Sequence, residues 1–364
     1  MDFEIITKDR GRDHLRQLLV NGEVASQVHV IDYVMNVRST QFKMAGWGGV
    51  ETRPAFRRKG LSKVLLEDTV KYMKEKGYDF SVLFGIPNYY HRFAFATSLI
   101  DESRAIAPSM PWTKESADEA EEVDVDEFVK SEKVRETYSE VNEGWNGTIH
   151  RDETDYEVLL KAKYEEFSTF TSSIRFLMAD EGYAIIRDDM DREETSVLEI
   201  GAKSISSYLS LLKSSAQIAW NAGRDHFHVN VPPDHPCLSA LRKRGYRMAL
   251  SYSFDAGAMA RTVNLKEVLE KLSRYFDGLS FSDGEETYRV KGGEVSEGKD
   301  GEAITLRPGQ MAQILMGYMR ASTVAELPAS AASVLDSRFG EAVPYMWWID
   351  RFRARRFAKV FSRD

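Results

Sequence analysis

At 364 residues, with a net charge of −8 and 43% hydrophobic content, the chain is long enough for more than one core, and roughly 150 residues per domain gives about 2.4. Charged residues at 29% and aromatics at 11% place it among globular rather than disordered chains. The acidity argues against a dedicated nucleic-acid binder, no apolar run approaches the roughly 18 to 20 residues of a membrane span, and Cys237, the only cysteine, excludes an internal disulfide. The N-terminus, Met1-Asp2-Phe3-Glu4, carries neither a basic leader nor an apolar stretch, so the sequence predicts a soluble, cytoplasmic protein without a membrane partner.

In chain order, the first segment alternates strands and helices. His29–Val37 and Lys43–Thr52 read as strands joined by a short turn, residues 60–76 as a helix stopped at Gly77, and Phe80–Phe84 as a short strand that Gly85 and Pro87 terminate. Strand, glycine-bearing turn, helix and strand make a βαβ unit. From Glu115 to Glu127 the chain then carries eight acidic residues and no basic one, which reads as a solvated linker. A second segment repeats the strand–helix–strand order without sequence repetition: a helix over Tyr156–Phe167, strands at Arg175–Ala179, Tyr183–Arg187 and Thr195–Gly201, a helix at Tyr208–Ala222 and a strand at His226–Val231. A third segment opens on a helix at Leu265–Tyr275. Short strands follow, separated by Asp283-Gly284, Gly292-Gly293 and Asp300-Gly301, then a helix at Gln310–Met319. The expected boundaries are 1–127, 128–258 and 259–364. The chain closes on a basic stretch, six basic residues and no acidic one from Arg351 to Arg363, compatible with an amphipathic terminal helix.

The chemistry concentrates in Val50-Glu51-Thr52-Arg53-Pro54-Ala55-Phe56-Arg57-Arg58-Lys59-Gly60-Leu61-Ser62. A strand ends at Thr52 and a helix begins near Gly60. The N–H groups of a helix N-terminus point outward unpaired, and the helix dipole adds partial positive charge. Arg57, Arg58 and Lys59 add whole charges, giving a site for a diphosphate. The run is neither a Walker loop nor a dinucleotide fingerprint. Read from the residues alone, it is either a site for some phosphorylated cofactor or an ordinary basic surface turn.

The run resembles the acetyl-CoA signature of the GCN5-related N-acetyltransferase (GNAT) superfamily, on whose positions Val50, Thr52, Pro54, Arg57, Gly60, Leu61 and Ser62 fall. Arg58 stands where glycine is common, and Ser62 where glycine or alanine is usual. Downstream, Tyr90-His91-Arg92-Phe93-Ala94-Phe95 is similar to the superfamily's Tyr-x-Arg/Lys-x-Gly-Phe/Tyr element, with Ala94 in place of glycine. The resemblance implies acetyl-CoA as co-substrate, with Val50, Thr52, Arg57, Arg58, Lys59, Gly60, Leu61 and Ser62 contacting it. It also implies Tyr90 as the general acid that protonates the leaving thiolate, with Tyr89 as competitor for that role. A phenol of pKa about 10 can donate to a thiolate whose thiol lies at about 8.5.

Over nearly the whole length the plan resembles the enhanced-intracellular-survival (Eis) type of N-acetyltransferase: two tandem GNAT-like mixed-sheet domains, the second without a cofactor signature at Gly201-Ala202-Lys203-Ser204, then a sterol-carrier-like α+β domain opening at Ala260-Arg261-Thr262-Val263-Asn264. It implies a small-molecule amine substrate and a homo-oligomer, a trimer or hexamer. In that family a terminal carboxylate near an aromatic serves as the base. Here Pro344–Phe352 looks like such an ending, and twelve residues follow it to Asp364. The base is then the Asp364 carboxylate, Asp350, Glu51 through a water, or His91. No metal is expected: His226 and His228 share a strand face, with His235 and Cys237 nearby, but the spacing fits no standard site. The alternative function is a non-catalytic CoA- or lipid-binding module.

Overall fold

The computed structural model describes residues 2–324 and 327–351. The fold is mixed α+β, as expected, and divides into two compact units. One gathers Met1–Leu99 and Ser253–Pro344, the other Ile100–Tyr252 and Tyr345–Arg351. This division differs from the three consecutive segments read from the sequence, because the chain leaves the first unit at residue 100 and returns to it at 253.

The first unit begins with four antiparallel strands, β1 (Phe3–Arg10), β2 (Asp13–Val20), β3 (Glu23–Val37) and β4 (Thr40–Thr52). The turn 53–60 leads into helix α1 (Leu61–Glu75), which crosses back to β5 (Phe80–Gly85), parallel to β4. Apolar spacing on α1 buries Leu61, Leu65, Leu66 and Met73 against Val28, Val30, Ala45 and Trp47 of the sheet. Trp47 Nε1 donates to Met73 Sδ at 3.0 Å, tying the sheet to the last turns of the helix. The strand Gly257–Thr262 inserts between β5 and β6 (Ala96–Thr97), antiparallel to both. The residues expected to open the third domain thus complete the first sheet. A four-stranded sheet follows, in the order 294–297, 287–291, 280–282, 304–305. Its strands are divided at the Asp-Gly and Gly-Gly turns anticipated from the sequence. Helix Pro308–Met316 packs on the inserted strand, where Gly309 comes so close to Ala94 and Ala96 that an added Cβ would lie 2.8 Å from them.

The second unit has a seven-stranded sheet in the order 247–251, 102–108, 226–229, 194–202, 182–189, 172–179, 121–123. Its one parallel pair joins Glu194–Ala202 to His226–Val229, linked through helix Ile205–Asn221, so the strand–helix–strand arrangement of the first unit recurs. The acidic run is not a linker. Glu121–Val123 is the edge strand of this sheet and Val125–Lys130 a helix capped by Asp124. Its carboxylates meet cations from elsewhere in the unit: Glu115 with Arg244, Glu122 with Arg175, and Asp126 with Lys161. The segment Tyr345–Arg351 also belongs here, held by Tyr345 N–H on the Asn146 carbonyl at 2.8 Å and Trp347 Nε1 on Asn142 Oδ1 at 2.6 Å. Among the described residues no helix is long and apolar enough to cross a membrane.

Candidate functional site

The site is built where β4 and β5 part. Their parallel ladder runs from Met44–Phe80 to Trp47–Leu83 and stops there, although β4 continues to Thr52 and β5 to Gly85. The cause lies on the other edge of β4. Its register with β3 passes from Gly48 opposite His29 to Glu51 opposite Gln27, so Gly49 and Val50 together face the single residue Val28. Such a bulge bends and twists the strand, and Gly49 takes the left-handed φ of +54° that this one requires. Beyond Trp47, the β4 edge turned away from β3 has no strand partner among the described residues. Apart from the Thr52 carbonyl, which accepts from Arg57, the N–H and C=O groups of that edge are left to pair with an extended ligand, as in strand addition.

The basic turn lies at the end of that edge. Pro54–Phe56 forms a short 3-10 turn, Arg57 Nε donates to the Thr52 carbonyl at 3.0 Å, and Arg58 and Gly60 adopt φ of +62° and +77°. Gly60 is the N-cap of α1 and lends no side-chain cap, and the first bond along the helix is Val64 N–H to Gly60 C=O. The preceding N–H groups are left for a ligand. The positive φ at Arg58 explains why glycine is common at this position. Arg57, Arg58 and Lys59 are exposed, with the Lys59 ammonium 5.5 Å above the Phe56 ring. Val50 and Thr52 are partly buried, and Thr52 shares a hydrogen bond of 3.0 Å with Ser26. Leu61 is a core residue, so only its backbone can serve a ligand. Ser62 is engaged with Tyr89, hydroxyl to hydroxyl, at 2.7 Å.

Tyr90 opens a second 3-10 turn, Tyr90–Phe93, that ends at Ala94 with φ +58°. The ring is packed edge-on against Tyr89 at 4.9 Å and against Phe95 at 6.5 Å. Gly85 makes room for it, since a Cβ there would lie 2.8 Å from Tyr90 Cδ2. Burial, and then the neighbouring Tyr89, push the Tyr90 phenol up to about 12. Its hydroxyl has no hydrogen-bond partner among the described residues. The inserted strand and the residues just before it fix the turn from behind: Arg261, itself buried, donates to the Phe93 carbonyl at 2.6 Å, and His91 Nδ1 lies 2.9 Å from Asp255.

The base candidates separate. Glu51 is exposed on the β4 edge. His91 is paired with Asp255. Asp350 belongs to the second unit, where Arg151 donates to both of its oxygens at 2.8 and 2.9 Å and to both of Glu199 at 2.8 and 2.6 Å. A carboxylate with both oxygens committed to a buried guanidinium is a structural ion pair, not an available base. Asp364 lies outside the described residues.

In the second unit the corresponding helix start is closed. Ser204 caps its own helix by accepting from Ser207 N–H, and Lys203 N–H bonds the Glu181 carbonyl. Of the histidines noted there, His228 lies against Glu194 and Arg104, and His235 Nδ1 accepts from the Cys237 N–H. Among the described residues no three His, Cys, Asp or Glu side chains cluster as a metal would need.

Residues 10–98 match the family model of an acetyltransferase (GNAT) domain. No curated protein matches the sequence. Solved structures share the fold across nearly the whole chain. A conserved protein from Enterococcus faecalis V583, given as a probable N-acyltransferase, is 17% identical, with TM-score 0.72, covering 94% of this chain and 90% of that one. Eis1 from Mycobacterium abscessus is 16% identical, with TM-score 0.69, 93% and 90% covered. A GCN5-related N-acetyltransferase from Anabaena variabilis is 16% identical, with TM-score 0.67, 93% and 89% covered. The parted strands, the basic helix start and the tyrosine turn all fall within 10–98, the part of the chain that matches the acetyltransferase (GNAT) domain model.

Proposed function

We propose that the protein transfers an acetyl group from acetyl-CoA to a primary amine by direct attack, with Tyr90 as the general acid. The observation that carries this reading is the partnerless Tyr90 hydroxyl beside a parted strand pair that ends at an uncapped, basic helix start. The diphosphate of the co-substrate fits the N–H groups and cations of residues 57–62, and its extended arm fits the β4 edge beyond Trp47. The amine nitrogen attacks the thioester carbonyl, the C–N bond forms and the C–S bond breaks. Tyr90 gives its proton to the departing sulfur, and the proton lost from nitrogen passes to a base. A phenol held near 12 stays protonated at neutral pH, so the acid is always loaded. The Eis-like plan supports two further parts of the reading, a sterol-carrier-like fold for the segment after residue 262 and a homo-oligomer in solution.

The test is release of free CoA from acetyl-CoA across a panel of polyamines and aminoglycosides, with Tyr90→Phe as the control. Turnover that falls at least a hundredfold in Tyr90→Phe supports the reading. CoA binding by calorimetry with no turnover of any amine favours the non-catalytic binding module instead.

A further inference from the structure

A buried carboxylate–imidazole pair lies directly across the sheet from the bulge of β4. Asp13 of β2 and His29 of β3 are 0% and 2% exposed, and His29 Nδ1 is 2.9 Å from both Asp13 oxygens. A buried carboxylate that accepts from one ring nitrogen fixes the tautomer and leaves the other nitrogen as an acceptor. His29 Nε2 has no partner among the described residues. The residue opposite His29 on β4 is Gly48, the first position past the last β4–β5 rung. Facing residues in an antiparallel pair have Cα atoms roughly 4.5–5.5 Å apart, and Gly48 has no side chain to fill the space between. Asp13 lies on β2, on the far side of β3 from β4, so the Nδ1 bond turns that edge of the ring away from the bulge.

The faces are also complementary. Val28 and Val30 flank His29 and pack on the α1 side with Trp47 and Ala45, so alternation sends His29 to the opposite face. Tyr90 packs against the α1-side cluster. A thioester held in the gap would therefore have a proton donor on one face of the sheet and a proton acceptor on the other. Acyl transfer can use that arrangement, since the nitrogen that sheds a proton and the sulfur that gains one are separate atoms on the same tetrahedral carbon.

We propose that His29, oriented by Asp13, is the general base of the reaction. This inference rests on the acetyltransferase reading. His29 Nε2 takes the proton that the ammonium group sheds and passes it to water. The freed amine forms the C–N bond as the C–S bond breaks, and Tyr90 protonates the sulfur. The second proton, shed by the nitrogen as it becomes an amide, returns through water to the Tyr90 phenolate.

The test uses the full chain, acetyl-CoA and the fastest amine of the panel. His29→Gln, His29→Ala and Asp13→Asn should lower kcat by about 10² to 10⁴, the range of general base catalysis, with CoA affinity by calorimetry within twofold of the parent. Added imidazole should restore at least tenfold of the His29→Ala rate. Turnover in folded His29→Gln within threefold of the parent, with Tyr90→Phe impaired, overturns the dyad alone. So does a His29→Ala rate that imidazole leaves unchanged while the variant's melting temperature falls. Absence of turnover in the parent with every amine overturns the acetyltransferase reading and the dyad with it.

Discussion

Tyr89 and Ser62 share a hydrogen bond of 2.7 Å between their hydroxyls, which joins the tyrosine turn to the first turn of α1 and leaves Tyr90, of the two, without a hydroxyl partner among the described residues. Two adjacent tyrosines thus have separable roles. Tyr89→Phe should cost ~0.5–1.5 kcal/mol of stability, the value of one net hydrogen bond, and leave kcat within a few-fold of the parent. Tyr90→Phe should leave stability nearly unchanged and lower kcat by about 10² to 10⁴. Steady-state kinetics with thermal melts of both variants separate the two, and a larger kcat loss in Tyr89→Phe would reverse the assignment.

The raised Tyr90 phenol sets the alkaline behaviour. The acid works while protonated, so its contribution is complete below its pKa and is lost only as pH approaches about 12. The kcat profile should therefore show no fall assignable to a phenol up to about pH 10, near the ordinary tyrosine value. A Tyr90-dependent limb centred near pH 9, absent from Tyr90→Phe, would contradict the burial that raises it.

Gly60 needs its backbone freedom rather than its small size. Its φ is +77°, and a Cβ there would meet nothing within 4 Å. Gly60→Ala should cost roughly 1 kcal/mol or more from the left-handed conformation, without a clash, and should weaken CoA binding as the N–H groups of the turn lose their alignment. Arg58 sits at φ +62° with a side chain already present, so Arg58→Gly should relieve comparable strain while removing one charge. Denaturant melts paired with CoA calorimetry on both variants read the two effects separately.

What was legible in the sequence is what is local. β4, the turn, α1 and β5 are contiguous, and their glycine, proline and charge pattern states both the element order and the ligand chemistry. Pairings between distant residues were not. Gly257–Thr262 reads the same wherever it lies, and only its pairing with Phe80–Gly85 places it in the first sheet. β1 and β2 escaped for a similar reason, since the polar residues of β1 mask its alternation, and with them went Asp13, the partner that gives His29 its meaning. The acidic run read as solvated because local charge density does not reveal that Arg175, Arg244 and Lys161 are brought to it by the fold.

Gly85 is a packing constraint on the acid. A Cβ at this position would lie 2.8 Å from Tyr90 Cδ2 and 2.9 Å from both Leu83 Cδ1 and Met259 Sδ. The leucine and methionine ends can move, but the tyrosine ring is wedged between Tyr89 and Phe95. Gly85→Ala should cost about 1–3 kcal/mol by overpacking and lower kcat by displacing the ring, with CoA affinity little changed. Unaltered kcat in Gly85→Ala would mean that the turn absorbs the added methyl group without moving the hydroxyl.

The second unit should lose stability in acid through Glu194. His228 Nδ1 lies 3.1 Å from this carboxylate and Arg104 Nη1 3.3 Å from it. The bond to His228, followed in smaller measure by Ser196 and the charges of His228 and Arg104, holds its pKa at about 2 against an ordinary 4.5. Because the folded value lies below the unfolded one, the group contributes its full stability above about pH 4.5 and loses it as pH falls toward 2. The site is partly exposed, and solvent screening reduces the contribution to ~1–2 kcal/mol. Glu194→Gln should therefore destabilise the protein by that amount at pH 6 and by much less at pH 3. Urea unfolding of both proteins at the two pH values gives the comparison, and equal losses at both would show that the pair contributes through packing rather than charge.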